Sequence, residues 1–402
     1  MSIKSISTGH ESAVWKKNSL ITMLTGMITL IVVMGMGRFS LTPQIPLMIA
    51  DGHLTLSSAG ILAAMNYIGY LLGAVHVSRI RAQHARYLKT GLLATALVTF
   101  LSGFSSAFIL QCLFRFVAGV GGAWALIIVT SWTQMILATY RAPRMSAAVF
   151  TGPGIGITLT GLLAWIMAGH QLHADKAWQV YGGVALAGAL LVWKALPADL
   201  PVRQESQKDS GMSRELRVLL LAYTLAGFGY ILPATFLSQM AHSIFAQGEL
   251  AAFFWPLFGL SAVAGVLLVI AFAARFNTRN SLAVTMILQG MGVSAVVFLS
   301  NASGLLISTV VTGLAFLAIM QLSMKLAREV TTGTVAKTVA VLTSGYATGQ
   351  LIGPLVSSIS VSYMGSLQPA LLTAGAGLVI AGLLVILGIR SPVIKRETSR
   401  CN

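Results

Sequence analysis

Acidic side chains are scarce in this chain: ten Asp and Glu among 402 residues, against twenty-six Lys and Arg. All ten, at positions 11, 51, 175, 199, 205, 209, 215, 249, 329 and 397, fall in hydrophilic connections or at the ends of apolar runs. No carboxylate proton carrier is therefore expected at membrane depth. Cysteine is scarcer still. Cys112 lies inside an apolar run and Cys401 stands beside the C-terminus, so no disulfide framework is implied. No Gly-x4-Gly-Lys-Ser/Thr loop is present, which speaks against direct nucleotide drive. The apolar segments lack Asp, Glu and any His pair, and so lack the makings of a membrane-embedded hydrolase or acyltransferase. No signalling domain is appended, although a membrane sensor stays open at this level. Residues 1–17 are polar and the first apolar run has full spanning length, so no cleavable leader is expected.

What the chain has instead is apolar length. Hydrophobic residues make up 56%, charged residues 9%, and mean hydropathy is +0.83. No charge interrupts 18–37, 52–78, 90–114, 116–140, 145–174, 177–193, 218–248, 250–274, 280–324 or 338–389. A bilayer core of about 30 Å takes about 20 apolar residues per helix. The last two runs are long enough for two crossings each, with polar breaks at 300–304 and 364–366. Spans are expected near 19–43, 57–79, 88–106, 108–138, 146–168, 177–196, 217–241, 250–274, 281–300, 304–326, 338–361 and 367–389.

With that threading, twenty-three of the twenty-six Lys and Arg fall on one side of the membrane. They occupy the N-terminus, the connections after the second, fourth, sixth, eighth and tenth spans, and the C-terminus; Lys176 alone falls opposite. Basic residues are retained in the cytoplasm, so both termini are expected inside, in an inner (cytoplasmic) membrane. The net charge of +16 would point to nucleic acid in a soluble protein. Spread over seven short segments, it marks topology instead, and the expected partner is the bilayer, not nucleic acid.

Two echoes cross the midpoint. Gly35-Met36-Gly37-Arg38 in the first span is matched by Gly227-Phe228-Gly229-Tyr230 in the seventh, 192 residues on, each followed by a proline, Pro43 and Pro233. Gly152-Pro153-Gly154-Ile155-Gly156 in the fifth is matched by Gly349-Gln350-Leu351-Ile352-Gly353-Pro354 in the eleventh, 197 residues on. The longest hydrophilic stretch, 197–215, lies between the two sets. A duplicated six-helix unit is expected: residues 1–196, a cytoplasmic linker 197–215, and residues 216–402. Two such halves suit alternating access around a midplane site.

This plan, with its central connection and the fourth-span stretch Arg115-Phe116-Val117-Ala118-Gly119-Val120-Gly121-Gly122-Ala123, resembles the major facilitator superfamily over nearly the whole chain. Residues 35–39 with Pro43 and Pro46, and Asn66-Tyr67-Ile68-Gly69-Tyr70-Leu71-Leu72-Gly73 in the second span, resemble its YbfB/YjiJ-type bacterial branch. The resemblance implies an all-α integral membrane protein of twelve transmembrane helices in two pseudo-symmetric bundles. It implies a secondary transporter of a small solute rather than an enzyme, with no cofactor or metal, acting as a monomer. The Arg115 stretch resembles motif B, which implies proton coupling. Gly152-Pro153 is a partial match to motif C, the antiporter signature. The motif A loop is represented by Gly73 and the basic cluster His76, Arg79, Arg81 and Arg86, without its Asp.

Arg38 lies, at about 1.5 Å per residue, about 30 Å from Lys17 and about 20 Å from Asp51 along the first span. A cation there costs at least about 2.5–3.5 kcal/mol unless it meets water or a partner. It binds an anion, or it is satisfied by carbonyls freed around Gly35, Gly37, Pro43 and Pro46. Arg115 poses the same question, with proton coupling or simple helix bridging as its roles. Asn66 and Tyr70, Tyr346 and Gln350, Tyr230 and Gln321 are further candidates for the solute site. Arg115, Gly119, Gly152, Pro153, Gly353, Pro354 and Arg79 are candidates for coupling or gating. Two unneutralised cations favour an anionic or carboxylate-bearing solute. Proton-linked export is the main variant and uniport or exchange the alternative.

The threading is tested by cysteine labelling in intact cells. A cysteine placed by Asn301→Cys should react with an impermeant maleimide from outside, and one placed by Lys208→Cys only after the cells are opened; the reverse pattern breaks the topology.

Overall fold

The computed structural model describes residues 4–80, 82–199, 212–245, 249–272, 275–331 and 335–390. Residues 200–211 of the expected linker, with Arg203 and Lys208, lie outside the described residues, as do Arg81 and Cys401. Among the described residues the chain is helical, without strands. The first span is α1 (Lys4–Leu30), a π-helical stretch (Ile31–Phe39) and α2 (Leu41–Ala50). There follow α3 (Leu56–Arg79), α4 (His84–Leu101), α5 (Phe108–Thr139), α6 (Pro143–Ala148), α7 (Gly152–Gly169) and α8 (Ala174–Val192). The second set is α9 (Arg214–Ile244), α10 (Glu249–Phe272), α11 (Thr278–Phe298), α12 (Ala302–Val330), α13 (Val335–Met364) and α14 (Gln368–Gly388). Ten stretches are long and apolar enough to cross a membrane by length and composition, with α6 and α7 forming one of them; α8 and α13 complete twelve crossings.

The spacing of caps explains where several helices start. Thr55 and Ser58 exchange side-chain and backbone hydrogen bonds in a capping box that opens α3. Ser213, Asn277 and Asn301 cap α9, α11 and α12 in the same local way. Two expectations are corrected. The first span does not end near residue 43 but runs to Ala50 with Pro46 inside α2, and the fifth starts at Pro143 rather than 146. Within a membrane bundle a proline is tolerated because neighbouring helices resupply the lost partner. Pro43 has no amide to offer the carbonyl of Phe39, so one uninterrupted α register cannot pass through this point.

Large apolar side chains stand on the outside: Ile109 is 84% exposed, Leu387 82% and Leu190 71%. Such a surface belongs against acyl chains, not water. Inside, backbones meet through glycines. A Cβ on Gly69 would strike the Phe116 carbonyl, and one on Gly119 the Asn66 carbonyl, so α3 and α5 lie against each other without side chains between them. Gly35 of the π-helical stretch faces Gly156 of α7 in the same manner.

The two helix sets meet along two antiparallel pairs. Ser57 of α3 bonds Ser362 of α13 at 2.7 Å and Ser358 at 3.2 Å, and deeper down Tyr70 and Ala74 pack with Ala347. In α7 and α10, Gly161 backs onto Pro256 and Gly154 onto Gly259 and Val263. Between the first and seventh spans, Thr42 Oγ1 donates to the Ala234 carbonyl at 2.7 Å, across 192 residues, the offset of the Arg38/Tyr230 echo.

The Gly119 contact predicts a packing defect. In Gly119→Val the new Cβ would stand 2.8 Å from the Tyr70 amide nitrogen and closer still to the Asn66 carbonyl, and backbone cannot move aside as a side chain can. The loss should be about 1–3 kcal/mol. A lowered melting temperature of the purified protein in detergent checks it, with Gly183→Val, which meets nothing within 4 Å, as the unaffected control.

Candidate functional site

Two guanidinium groups lie within the bundle, and the helices treat them differently. Arg115, on α5, is fully buried. Its Nη1 donates to the Gly37 carbonyl at 3.0 Å and its Nη2 to Ser102 Oγ at 3.2 Å. Its Cζ lies 4.5 Å from the Trp178 ring of α8, a cation–π contact. Two hydrogen bonds and a ring face thus engage both terminal nitrogens and the plane of the group, and its Nε is buried without a partner. Asn66 Nδ2 in turn donates to the Arg115 main-chain carbonyl at 3.0 Å. Gly119 lies one turn further along α5, on the face that receives α3. Arg115 is thereby a clip that holds the π-helical stretch against α5.

Arg38, at the end of that stretch, is 7% exposed and has much less. Its Cζ stands 4.5 Å from the ring of Tyr67, 5.0 Å from Tyr70 and 5.5 Å from Phe39. Its Nε and Nη2 are buried without a hydrogen-bond partner. These two nitrogens share one edge of the planar group, and their N–H bonds run side by side. That edge matches the two oxygens of a carboxylate. The freed carbonyl that was one candidate partner for Arg38, that of Gly37, is taken by Arg115.

Around Arg38 the other helix set contributes rings. Tyr230 of α9 lies within electrostatic range of the guanidinium. Tyr230 stacks on Phe316 of α12 (4.5 Å, 15°) and lies parallel to Tyr346 of α13 (5.5 Å, 9°). Tyr346 stacks on Tyr223 (4.4 Å, 20°), while Phe316 leads to Phe258 (6.1 Å, 28°) and Phe258 to Trp255 (5.3 Å, 9°). Gln350 Nε2 donates to the Tyr230 hydroxyl at 2.5 Å, and its Oε1 has no partner.

Of the solute-site candidates, Arg38, Tyr70, Tyr230, Tyr346 and Gln350 therefore converge. Asn66 is turned toward α5. Gln321 sits on α12, with a buried and unpartnered Oε1. Sequence reasoning did not single out Tyr67, Phe39, Tyr223, Phe258, Phe316 or Trp255 for this site. Tyr67 and Tyr70 are three apart on one helix and Tyr223 and Tyr230 seven apart, spacings that bring rings to a common face.

The gating candidates lie mainly at helix contacts. Gly152 and Gly156 face the first span while Gly154 faces α10, so the Gly-Pro stretch joins both sets, with Pro153 in the first turn of α7. Gly349 and Gly353 face α9, and the Pro354 carbonyl approaches Gly60 of α3. Arg79 ends α3 exposed. A cavity of about 400 Å³ lies elsewhere, on the flank of α10, α11 and α12 between Leu268, Phe272, Leu314 and Lys325. Among the described residues no cluster of metal-binding side chains occurs.

Residues 30–386 match the family described as "Uncharacterised MFS-type transporter YbfB". The chain belongs to the major facilitator superfamily. The MFS-type transporter YceJ of Bacillus subtilis (strain 168) is 27% identical over 231 residues, or 55% of this chain and 54% of that protein. The match thus spans about half the length of this curated relative. Among solved structures, a D-xylose–proton symporter covers 93% of this chain and 98% of its own (TM-score 0.74, 12% identity). The nucleoside transporter NupG, in a point-mutant form, covers 93% and 100% (TM-score 0.72, 12%). A bacterial homologue of the human lysosomal transporter Spinster covers 93% and 96% (TM-score 0.72, 15%). These likenesses carry the fold.

Among the described residues of this major facilitator, two His–Asp pairs stand together beyond the end of α2 and at the start of α8. Asp51, just after α2, accepts from His173 Nδ1 at 2.9 Å and from the Ala174 amide, the start of α8, at 2.7 Å. His53 and Asp175 lie alongside, 3.9 Å apart. Partial burial would raise the Asp51 carboxyl, but the hydrogen bonds from His173 and Ala174 outweigh it and hold it below the ordinary 3.8. The same bond, with the carboxylate charge, raises His173 above 6.5. The Asp51 contribution is present above pH 3.8 and lost as pH falls through its lowered value. The His173 contribution is present below pH 6.5 and lost as pH rises through its raised value. The melting-temperature difference between wild type and Asp51→Asn should therefore be largest between about pH 4 and 6.5 and shrink on either side; a difference independent of pH contradicts the pairing.

Proposed function

We propose that this transporter carries a small carboxylate-bearing solute across the cytoplasmic membrane by alternating access. The observation that carries the reading is the open edge of Arg38, two parallel N–H donors buried together without a partner. An uncompensated buried cation is unfavourable, and a carboxylate bound on that edge supplies both missing acceptors and the opposite charge. Residues 1–196 and 216–402 act as the two rocking bodies, joined by 197–215. Arg38 belongs to one body, and Tyr230, Tyr346 and Gln350 belong to the other. A solute held between them feels both, and a single chain suffices. The charge asymmetry supports both termini on the cytoplasmic side.

Uniport or exchange is the coupling we favour, because among the described residues no Asp or Glu lies in the middle of a span. Proton-linked export is the second reading. It rests on the motif B likeness around Arg115, although the two hydrogen bonds of Arg115 suit a structural clip as well.

Flux of a panel of radiolabelled monocarboxylates into proteoliposomes tests this. Arg38→Gln should weaken uptake of the transported acid by about ten- to a hundredfold, the worth of a charge-assisted hydrogen-bonded pair, while insertion and melting temperature hold. Arg38→Lys should recover only part, since an ammonium lacks the paired edge. Unchanged uptake in Arg38→Gln refutes the anion role. An imposed pH gradient should leave flux of a fully ionised acid unaltered, and a marked response favours the proton-linked reading.

A further inference from the structure

We infer that the solute of this site is an aromatic carboxylate, its acid group on the Arg38 edge and its ring against the ring column of the second helix set. The inference rests on the anion reading above and narrows it. Three observations carry it.

The first is the division of chemistry between the halves. The first half brings one cation with two free donors, flanked by Tyr67, Tyr70 and Phe39. The second half brings no charge to this place. It brings Tyr223, Tyr346, Tyr230, Phe316, Phe258 and Trp255, with successive rings inclined by only 9–28°. Rings that merely fill a core have no need to be near-parallel, since tilted and edge-on pairs are equally favourable. A column of near-parallel faces is suited to receiving another flat group in offset stacking.

The second is electrostatic. The faces of these rings carry the negative part of the aromatic quadrupole. They repel a carboxylate and accept its uncharged body, so the solute can enter in one sense only. The charge goes to the guanidinium edge and the plane to the column.

The third is Phe39. Adjacent to Arg38 in sequence, its ring already packs on Phe316 (5.9 Å, edge-on) and Trp255 (6.2 Å, tilted) from the opposite half. A benzene ring held beside the Arg38 guanidinium thus reaches the column even with the halves together. When they part, Phe316 and Trp255 lose that cover. A solute ring then takes its place.

Binding to the purified full-length protein in nanodiscs, by calorimetry or thermal shift, tests the proposal with benzoate, 2-naphthoate, cyclohexanecarboxylate and benzyl alcohol. Benzoate and cyclohexanecarboxylate share charge and size and differ in the flat ring. Stacking should favour benzoate by about two- to tenfold, with 2-naphthoate tighter still. Benzyl alcohol keeps the ring and lacks the charge, and should bind at least about tenfold more weakly than benzoate. In Phe316→Leu the benzoate-to-cyclohexanecarboxylate ratio should fall toward one while the preference for benzoate over benzyl alcohol persists. The wild-type ratio stands as a test even if that variant folds poorly. Equal binding of benzoate and cyclohexanecarboxylate overturns the aromatic inference and leaves the anion reading standing. Equal binding of benzyl alcohol and benzoate overturns the anion reading itself. Absence of saturable binding by both benzoate and 2-naphthoate also overturns the inference.

Discussion

A guanidinium placed among hydrocarbon must find acceptors, and the first half of this transporter is organised around two such groups. Arg115 is answered from within: a main-chain carbonyl from the π-helical stretch, a serine hydroxyl and the face of Trp178. Arg38 is answered by ring faces along part of its surface, and one edge is left over. The two are linked. Arg115 takes the Gly37 carbonyl, next to Arg38 in the chain, while the Arg38 edge has no partner of its own.

The π-helical stretch is where this comes about. Wider than an α-helix by one residue per hydrogen bond, such a segment redirects the side chains that follow it. It ends where Pro43 withholds an amide, and it is pressed from outside by Gly156 against Gly35. Arg38 is its penultimate residue, so its direction is tied to this irregular backbone rather than to the regular period of the span. A reversion of the stretch to α geometry would turn Arg38 away from Tyr67 and Tyr70. The glycine contact with α7 connects that backbone to the Gly-Pro stretch, which also touches α10 of the other half through Gly154. The place that aims the cation and the place where the halves meet are therefore two residues apart on α7, at Gly156 and Gly154.

Much of this architecture is legible in the sequence because hydrocarbon imposes a strict grammar. Charges can sit only at span ends, so the intervals between them count the helices, and Arg38 and Arg115 stand out by breaking the rule. The fifth- and eleventh-span glycines were readable as close-approach sites, and they are. Rotation about each helix axis was not readable. Asn66 and Tyr70 share a face by spacing, yet Gly69 and Gly119 draw α3 so tightly onto α5 that Asn66 is absorbed there while Tyr70 remains beside Arg38. The π-helical stretch was equally hidden, since it depends on contacts with α5 and α7 and not on local propensity. Phe258 and Phe316 look like ordinary apolar filling until the neighbouring rings are seen to be parallel.

The offset of 192 residues also explains why the site is lopsided. Thr42 meets the carbonyl of Ala234, its counterpart in the second repeat, so the equivalent positions of the first and seventh spans face each other close to the axis between the halves. One turn earlier, the same relation brings Arg38 opposite Tyr230. If both repeats had kept an arginine there, two cations would confront each other in a low-dielectric interior, and each would raise the cost of the other. If both had kept a tyrosine, nothing would attract an anion to the axis. On the proposed reading, a duplicated fold that binds a charged solute on its axis must differ between halves at the axial residue, and the Arg38/Tyr230 pair supplies that difference.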